Sequence, residues 1–292
     1  MVASGPAIRC RQIAAADVPA IVDLLARGFP GRSRAFWDGA LRQLAKRQPP
    51  PGLPQYGYLL ESDGIPVGTI LLICSTMRAD GDGSLVPRCN LSSWYVEPAF
   101  RFCAPLLVSR AIAHKNVTYL NVSPAPHTTA IIEAQGFARY CDGLFVAVPA
   151  LKDLFGGERV QIVAAHDELP VETDAFEREI LLQHGALGCI SVWCVSTGRP
   201  YPFVFRPRIV KKTIPCARLI YCRDIGDFTR FAGPLGRYLA RRGKPLVIVD
   251  ANGPLPGLVG VFRGGSRPKY FKGGQRPRLG DLAYTEFAVM GV

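Results

Sequence analysis

Two short stretches of this sequence gather side chains able to do chemistry near neutral pH. The first is Asn90-Leu91-Ser92-Ser93-Trp94-Tyr95-Val96, a run that reads as a strand stopped by Pro98. On a strand, Asn90, Ser92 and Trp94 share one face and Leu91, Ser93 and Tyr95 the other. An amide and a hydroxyl in that row either orient a substrate or satisfy a sheet edge. The second is Asn121-Val122-Ser123-Pro124-Ala125-Pro126-His127, which leaves a strand and enters a helix. Asn121 and Ser123 stand at the strand end. His127 has the side chain suited to act as a base near neutral pH, and its competing reading is a helix cap. Asp224, Asp227 and Asp250 read as cap and turn residues.

The elements that must position these groups follow from spacing and punctuation. Ile8–Ile13 reads as a strand, and Asp17 stands as N-cap before Ile21, Leu24 and Leu25 at helical spacing, with Gly28 closing the helix. A second helix runs from about Ser33 to Arg47 and ends at the prolines of 49–54. Residues 56–61 and 67–75 are apolar runs joined by Ser62-Asp63-Gly64-Ile65-Pro66, a hairpin signal. Strands at 90–96, 117–122 and 144–148 alternate with helices at 106–113 and 128–135. The order is that of a mixed α/β domain.

After Gly156-Gly157 the pattern restarts. Strands are expected at 160–164, 189–196, 201–205, 218–222 and 245–249, with helices at 175–184 and 227–242, the latter kinked at Pro234. A basic Gly/Pro-rich stretch over 252–278 precedes a last strand at 282–289. Arg101-Phe102-Cys103-Ala104-Pro105-Leu106 is echoed by Arg230-Phe231-Ala232-Gly233-Pro234-Leu235, 129 residues later, and the hairpin glycine Gly64 by Gly198, 134 residues later. Two echoes in one order argue for a duplicated unit, with domains over 1–155 and 156–292.

Four pieces of the first half, in order, resemble the GNAT acyl-CoA N-acyltransferase superfamily. Ile8-Arg9 through Asp17–Leu24 is similar to its first strand and helix, and Gly64-Ile65-Pro66-Val67-Gly68 to its second hairpin. Trp94–Arg101 resembles its fourth strand and cofactor loop, and Ala130–Phe137 its late helix ending in Gly-Phe. The resemblance implies α/β architecture with two tandem GNAT-like domains, the second degenerate. It implies transfer of an acyl group from acyl-CoA to an amine or hydroxyl acceptor, with no metal. It places Trp94, Tyr95 and Val96 along the pantetheine arm of the donor, and Arg101, Phe102, Cys103 and Ala104 at its pyrophosphate. The thioester then falls within reach of the candidate catalytic groups Tyr95, Asn121, Ser123 and His127. Two departures bear on this. The segment Arg101–Pro105 has none of the glycines that let backbone approach a phosphate, and the family's thiolate-protonating tyrosine falls at Ile132. They give a catalytically silent GNAT-fold scaffold as the rival reading. The second half keeps Gly233 and Gly236 after Arg230.

Composition sets outer limits. The chain has 292 residues, 48% hydrophobic and 20% charged, enough for two globular domains. Its apolar runs are far shorter than the roughly 20 residues of a membrane span, and residues 1–11 have no apolar signal region. Nine scattered cysteines without a Cys-x-x-Cys pair argue against a zinc or disulfide framework, with Cys74, Cys189, Cys194 and Cys222 as reduced core thiols in a cytoplasmic protein. The net charge of +12 is concentrated over 199–278, which holds 18 basic and 3 acidic residues. Such a stretch suits an acidic acyl carrier protein as an alternative donor or is a solvated face. Nucleic acid is the weaker partner: aromatic residues accompany the charge, but no nucleic-acid motif does.

Overall fold

The computed structural model describes residues 7–79, 83–153, 158–169, 171–211 and 213–291. The chain forms two compact units. The first comprises Met1–Ser123, Ala130–Phe137 and Phe271–Arg276; the second comprises Pro124–Thr129, Ala138–Tyr270 and Pro277–Val292.

The first unit is built from β1 (Ile8–Gln12), α1 (Val18–Gly28), α2 (Arg34–Ala45), β2 (Gly57–Ser62), β3 (Ile65–Arg78), β4 (Leu85–Val96), α3 (Ala104–Ala111), β5 (Thr118–Asn121) and most of α4 (Thr129–Ala134). Its strands run β1-β2-β3-β4-β5, antiparallel except for β5, which is parallel to β4. α1 forms because Ile21, Val22, Leu24 and Leu25 make one apolar face, and that face is fully buried. Asp17 precedes it without a side-chain cap. Its carboxylate instead accepts from Arg11 at 2.6 and 2.8 Å and from the Ala14 N–H at 2.7 Å, tying β1 to the helix. The β2–β3 hairpin turns where expected, at Asp63 and Gly64, both with positive φ.

The second unit holds β6 (Ala138–Ala147), β7 (Gln161–Ala164), α5 (Ala175–Ala186), β8 (Ile190–Ser196), β9 (Arg199–Val210), β10 (Ile214–Cys222), α6 (Ile225–Ala240), β11 (Leu246–Ala251), β12 (Gly260–Lys272, of which the last two residues count with the first unit) and α7 (Glu286–Val289). The strand order is β12-β6-β11-β10-β9-β8-β7. Phe203, Phe205, Phe228, Phe231, Leu235 and Val249 centre its core.

Several expectations need correction. The restart at Gly156-Gly157 lies outside the described residues, and the compact units do not divide there: β6, encoded before residue 155, belongs to the second. Pro234 does not interrupt α6, which is continuous over 225–240. Gly233 and Gly236 lie inside that helix, where an added Cβ would run into the backbone of Lys152 and Ala150. They are helix-packing glycines, so no phosphate loop forms there. The basic stretch contains a long strand, β12. Residues 282–289 are not a strand but lead into the short helix α7. Cys74 and Cys89 face each other across the β3–β4 ladder, Cα atoms 4.1 Å apart, and are joined as a disulfide, so Cys74 is not a free core thiol.

Candidate active site

In the first unit β4 and β5 pair at only three rungs, Arg88–Thr118, Cys89–Tyr119 and Asn90–Leu120. Beyond Asn90 the strands separate, and β4 runs on alone to Val96. Its far edge stays hydrogen-bonded to β3, at Leu71–Ser92, Thr69–Tyr95 and Gly68–Val96. Three residues of β4 span two of β3 between those rungs, which is a β-bulge. Ser93 sits in it at φ +53°, a conformation a non-glycine residue adopts at a cost. Among the described residues no strand takes up the edge that β5 releases over 91–96, so its backbone N–H and C=O groups are available to a ligand.

Asn90 stands at the vertex of this divergence. It is 1% exposed, and neither atom of its amide has a hydrogen-bond partner. Leaving buried polar atoms unpaired costs on the order of 1–3 kcal/mol, a strain expected where a ligand completes the bonding. Ser92, on the same face, is buried as well, and Trp94 is half-buried with its indole N–H also unpartnered. Tyr95 is half-buried. Its ring lies against Gly28 so closely that a Cβ there would collide with it, and Phe29 follows at 6.1 Å between ring centroids. Gly28 is thus needed for ring packing, since the helix cap falls on Phe29. Val96 is buried. On the β5 side, Asn121 is half-buried one residue past the last rung, and Ser123 is exposed three residues past it. The structure therefore sets Tyr95, Asn121 and Ser123 on the two arms of the divergence. Pro126–Thr128 forms a 3-10 turn, and the His127 side chain is outside the described residues.

The expected phosphate loop is a 3-10 helix over Pro98–Cys103 that leads straight into α3. Arg101 is exposed there, Phe102 is 74% exposed, and Cys103 and Ala104 are half-buried. The Phe100 N–H donates to the Glu97 carbonyl at 2.9 Å and the Ala104 N–H to that of Arg101. Two amides that a phosphate would need are thereby used within the turn. The residues present fit the pantetheine arm of an acyl-CoA, whose amides match the released edge and the Asn90 carboxamide. For the pyrophosphate they offer Arg101 alone.

The second unit repeats the divergence. β10 and β11 pair at Cys216–Leu246, Ala217–Val247 and Arg218–Ile248, each 128 residues after its counterpart, and a bulge follows between Leu219 and Tyr221. Here the released edge is taken. The Cys222 N–H donates to the Gly280 carbonyl at 2.9 Å and the Leu282 N–H to that of Ile220 at 2.7 Å. Residues 280–290 are all buried. The start of α6 is acidic: Asp224 caps it through the Gly226 N–H at 2.5 Å, Asp227 follows, and Arg223 is held by Glu177 at 2.9 and 2.7 Å. A helix start ringed by carboxylates repels phosphates.

No protein-family model and no curated protein matches this sequence. Solved structures do. A GCN5-related N-acetyltransferase of Anabaena variabilis superposes with a TM-score of 0.58 at 9% identity, over 91% of this chain and 72% of that one. One from Kribbella flavida gives 0.54 at 14%, over 91% and 71%. Eis1 of Mycobacterium abscessus gives 0.53 at 11%, over 94% and 74%. At these identities the likeness concerns the fold, and it is unambiguous on that point: the chain has the GNAT fold in a tandem, two-unit arrangement.

Asn90 stands out in the sequence by its strand face alone and is not among the expected catalytic residues. Its signal is a carboxamide on the strand face it shares with Ser92 and Trp94. The closing of the second divergence by residues 280–282 had no local signal at all.

Proposed function

We propose that the first unit is an acyltransferase that moves an acyl group from acyl-CoA to the amine or hydroxyl of a small acceptor at the β4–β5 divergence. The supporting observation is Asn90, a buried carboxamide with both atoms unpartnered at the head of a strand edge free of pairing. When bound, acyl-CoA supplies a thioester: its C–S bond breaks, a C–N or C–O bond forms, and the acceptor's proton ends on the departing thiol. Trp94, Tyr95 and Val96 carry the backbone that would hold the pantetheine arm. Asn90 orients the donor through its N–H and C=O together. With Ile132 where the family has its acid, the Tyr95 hydroxyl is assigned the return of a proton, and Asn121 and Ser123 the acceptor side. Arg101 carries the phosphate contact, and Phe102, Cys103 and Ala104 contribute backbone alone.

The donor assigned is CoA rather than a carrier protein. Two lysines of the basic stretch are occupied within the fold: Lys269 is 0% exposed beside Asp250, and Lys272 donates to the Gln135 carbonyl at 2.6 Å. Replacing them would test folding, not docking. Among the described residues no helix is long and apolar enough to cross a membrane, and no group of side chains could hold a metal.

Thiol release from a panel of acyl-CoAs with mixed amine and alcohol acceptors tests the reading. Asn90→Ala should lower kcat/KM about 100-fold, the scale seen for loss of one positioned hydrogen-bonding group. Arg101→Ala should raise the donor KM by roughly 10- to 100-fold, as expected for one charge-assisted hydrogen bond. The used amides of Phe100 and Ala104 and the missing tyrosine favour a second reading, a silent GNAT-fold binding protein. Donor binding by calorimetry without thiol release from any pair would select it, and absence of both would remove the acyl-CoA assignment.

A further inference from the structure

The strongest unexplained feature lies in the second unit, at the vertex where β10 and β11 part. Arg218 on β10, Asp250 on β11 and Lys269 on β12 are 3%, 4% and 0% exposed. Lys269 Nζ lies 2.8 Å and Arg218 Nη1 3.8 Å from the same oxygen, Asp250 Oδ1. One carboxylate thus faces two cations, and the cluster carries a positive charge in excess. The hydrogen bonding is as incomplete as the charge. Arg218 Nε and Nη1 and Lys269 Nζ have no acceptor in hydrogen-bond direction, so the 2.8 Å contact is an ion pair without a directed bond.

The ring that covers the cluster adds no acceptor. The Phe287 ring covers both cations, 4.2 Å from the Arg218 guanidinium and 6.0 Å from Lys269 Nζ, and supplies only a π face. Arg208 and Arg267 add positive potential, and burial raises the pKa of the nearby Cys141 thiol, keeping it neutral. Burial foremost, with those two arginines, holds the Arg218 pKa down to about 10 against the pull of Asp250. Burying a net charge without a partner costs several kcal/mol. Arg267 is exposed, Arg208 half-buried and Arg218 buried, and the first two act on Arg218 as like charges. Positive charge gathered in this way attracts small anions.

We propose that Arg218 and Lys269 bind a small monovalent anion, a halide or a carboxylate, as the second counter-ion of this cluster. The anion accepts from Arg218 Nε and Nη1 and from Lys269 Nζ, and brings the buried charge to zero. Because Phe287 lies on Arg218, the site also supports the closing segment over 280–290. The proposal is independent of acyl transfer in the first unit.

Thermal unfolding of the full chain, titrated with sodium bromide or sodium acetate against sodium sulfate at fixed ionic strength, tests it. Bromide or acetate should raise the midpoint saturably, by about 5 °C at a hundredfold excess over Kd; which of the two acts separates a halide site from a carboxylate site. Arg218→Met and Lys269→Met each leave one cation opposite Asp250. Each should abolish the anion response while unfolding near the midpoint of anion-saturated wild type. Crystals soaked in bromide should show anomalous density between Arg218 and Lys269. An equal response in both variants would mark a general salt effect and overturn the proposal. A water at that position with no bromide would overturn it too, and this reading does not depend on the variants folding.

Discussion

The two divergences share a backbone and differ in what fills them. Asn90, Val122 and Tyr95 in the first unit correspond, at the constant offset of 128, to Arg218, Asp250 and Arg223 in the second. At the first vertex a neutral carboxamide is left without partners. At the second, charges gather in the same place. Tyr95 keeps its ring half-open against Gly28 and Phe29, whereas Arg223 is pinned by two hydrogen bonds to Glu177. Among the described residues the edge of β4 is free of pairing over 91–96, whereas that of β10 is covered by residues 280–282. One copy keeps unpaired polar atoms at its vertex, and the other closes the corresponding edge with internal contacts. This is the physical basis for assigning chemistry to the first unit and a structural role to the second.

The matched pair Asp250 and Val122 should separate the units most. Asp250→Ala leaves two buried cations without a carboxylate and should destabilise the second unit by about 3–5 kcal/mol. Val122→Ala, at the corresponding buried position, removes two methyl groups and should cost about 1–2.5 kcal/mol. Urea unfolding followed by Trp193 reports the second unit, and in a Trp193→Phe background Trp37 and Trp94 report the first. Equal losses at the two positions would break the contrast between a charged and a neutral vertex.

A smaller effect, of opposite sign, is expected at Asn90. If its unpaired amide is retained for a ligand, Asn90→Leu should stabilise the first unit by about 1 kcal/mol, by removing unsatisfied buried polar atoms, while acyl transfer falls. A stability loss with unchanged transfer would make Asn90 a packing residue.

Much of this was legible in the sequence because it is local. Both hairpins turn at the expected glycines, with Asp63-Gly64 and Thr197-Gly198 all at positive φ. The alternation of strands and helices held through Leu246–Ala251. The duplication was legible too, though not its register. The Arg101-Phe102 echo at 129 residues pairs positions that are not equivalent, since Phe102 lies 74% exposed in a 3-10 turn and Phe231 is fully buried within α6. What escaped is non-local. β12 is rich in glycine and basic residues, and its strand character comes from neighbours far away in the chain, as where Gly143 meets the backbone of Arg263. The covering of β10 by residues 280–282 likewise depends on a pairing across about 60 residues. Cys74 and Cys89 pair because β3 and β4 place them directly opposite, a register that composition does not show.

The smallest contrast lies in two carboxylates whose environments push them in opposite directions. Hydrogen bonds from Arg11, with further help from the Ala14 N–H, hold the Asp17 pKa below the ordinary carboxylate value. Its contribution is therefore present above the unfolded-state value, near 3.9, and is lost as pH falls through the folded-state value. Asp227 is raised, chiefly by burial and against the pull of Arg223. Folding then favours its protonated form, so its contribution is most favourable below the unfolded value and declines as pH rises through the raised one. Asp227 is half-buried, and solvent keeps the effect to a few tenths of a kcal/mol. Asp227→Asn should remove a slight penalty at pH 7, whereas Asp17→Asn should weaken the first unit at pH 7 and flatten its loss of stability in acid. Unfolding of each unit between pH 3 and 7, read through its own tryptophans, measures both signs. Parallel pH profiles in the two variants would show that the acidic start of α6 is as well compensated as the β1–α1 corner. Its carboxylates would then no longer argue against a phosphate there, leaving the covered edge of β10 as the feature that separates the two units.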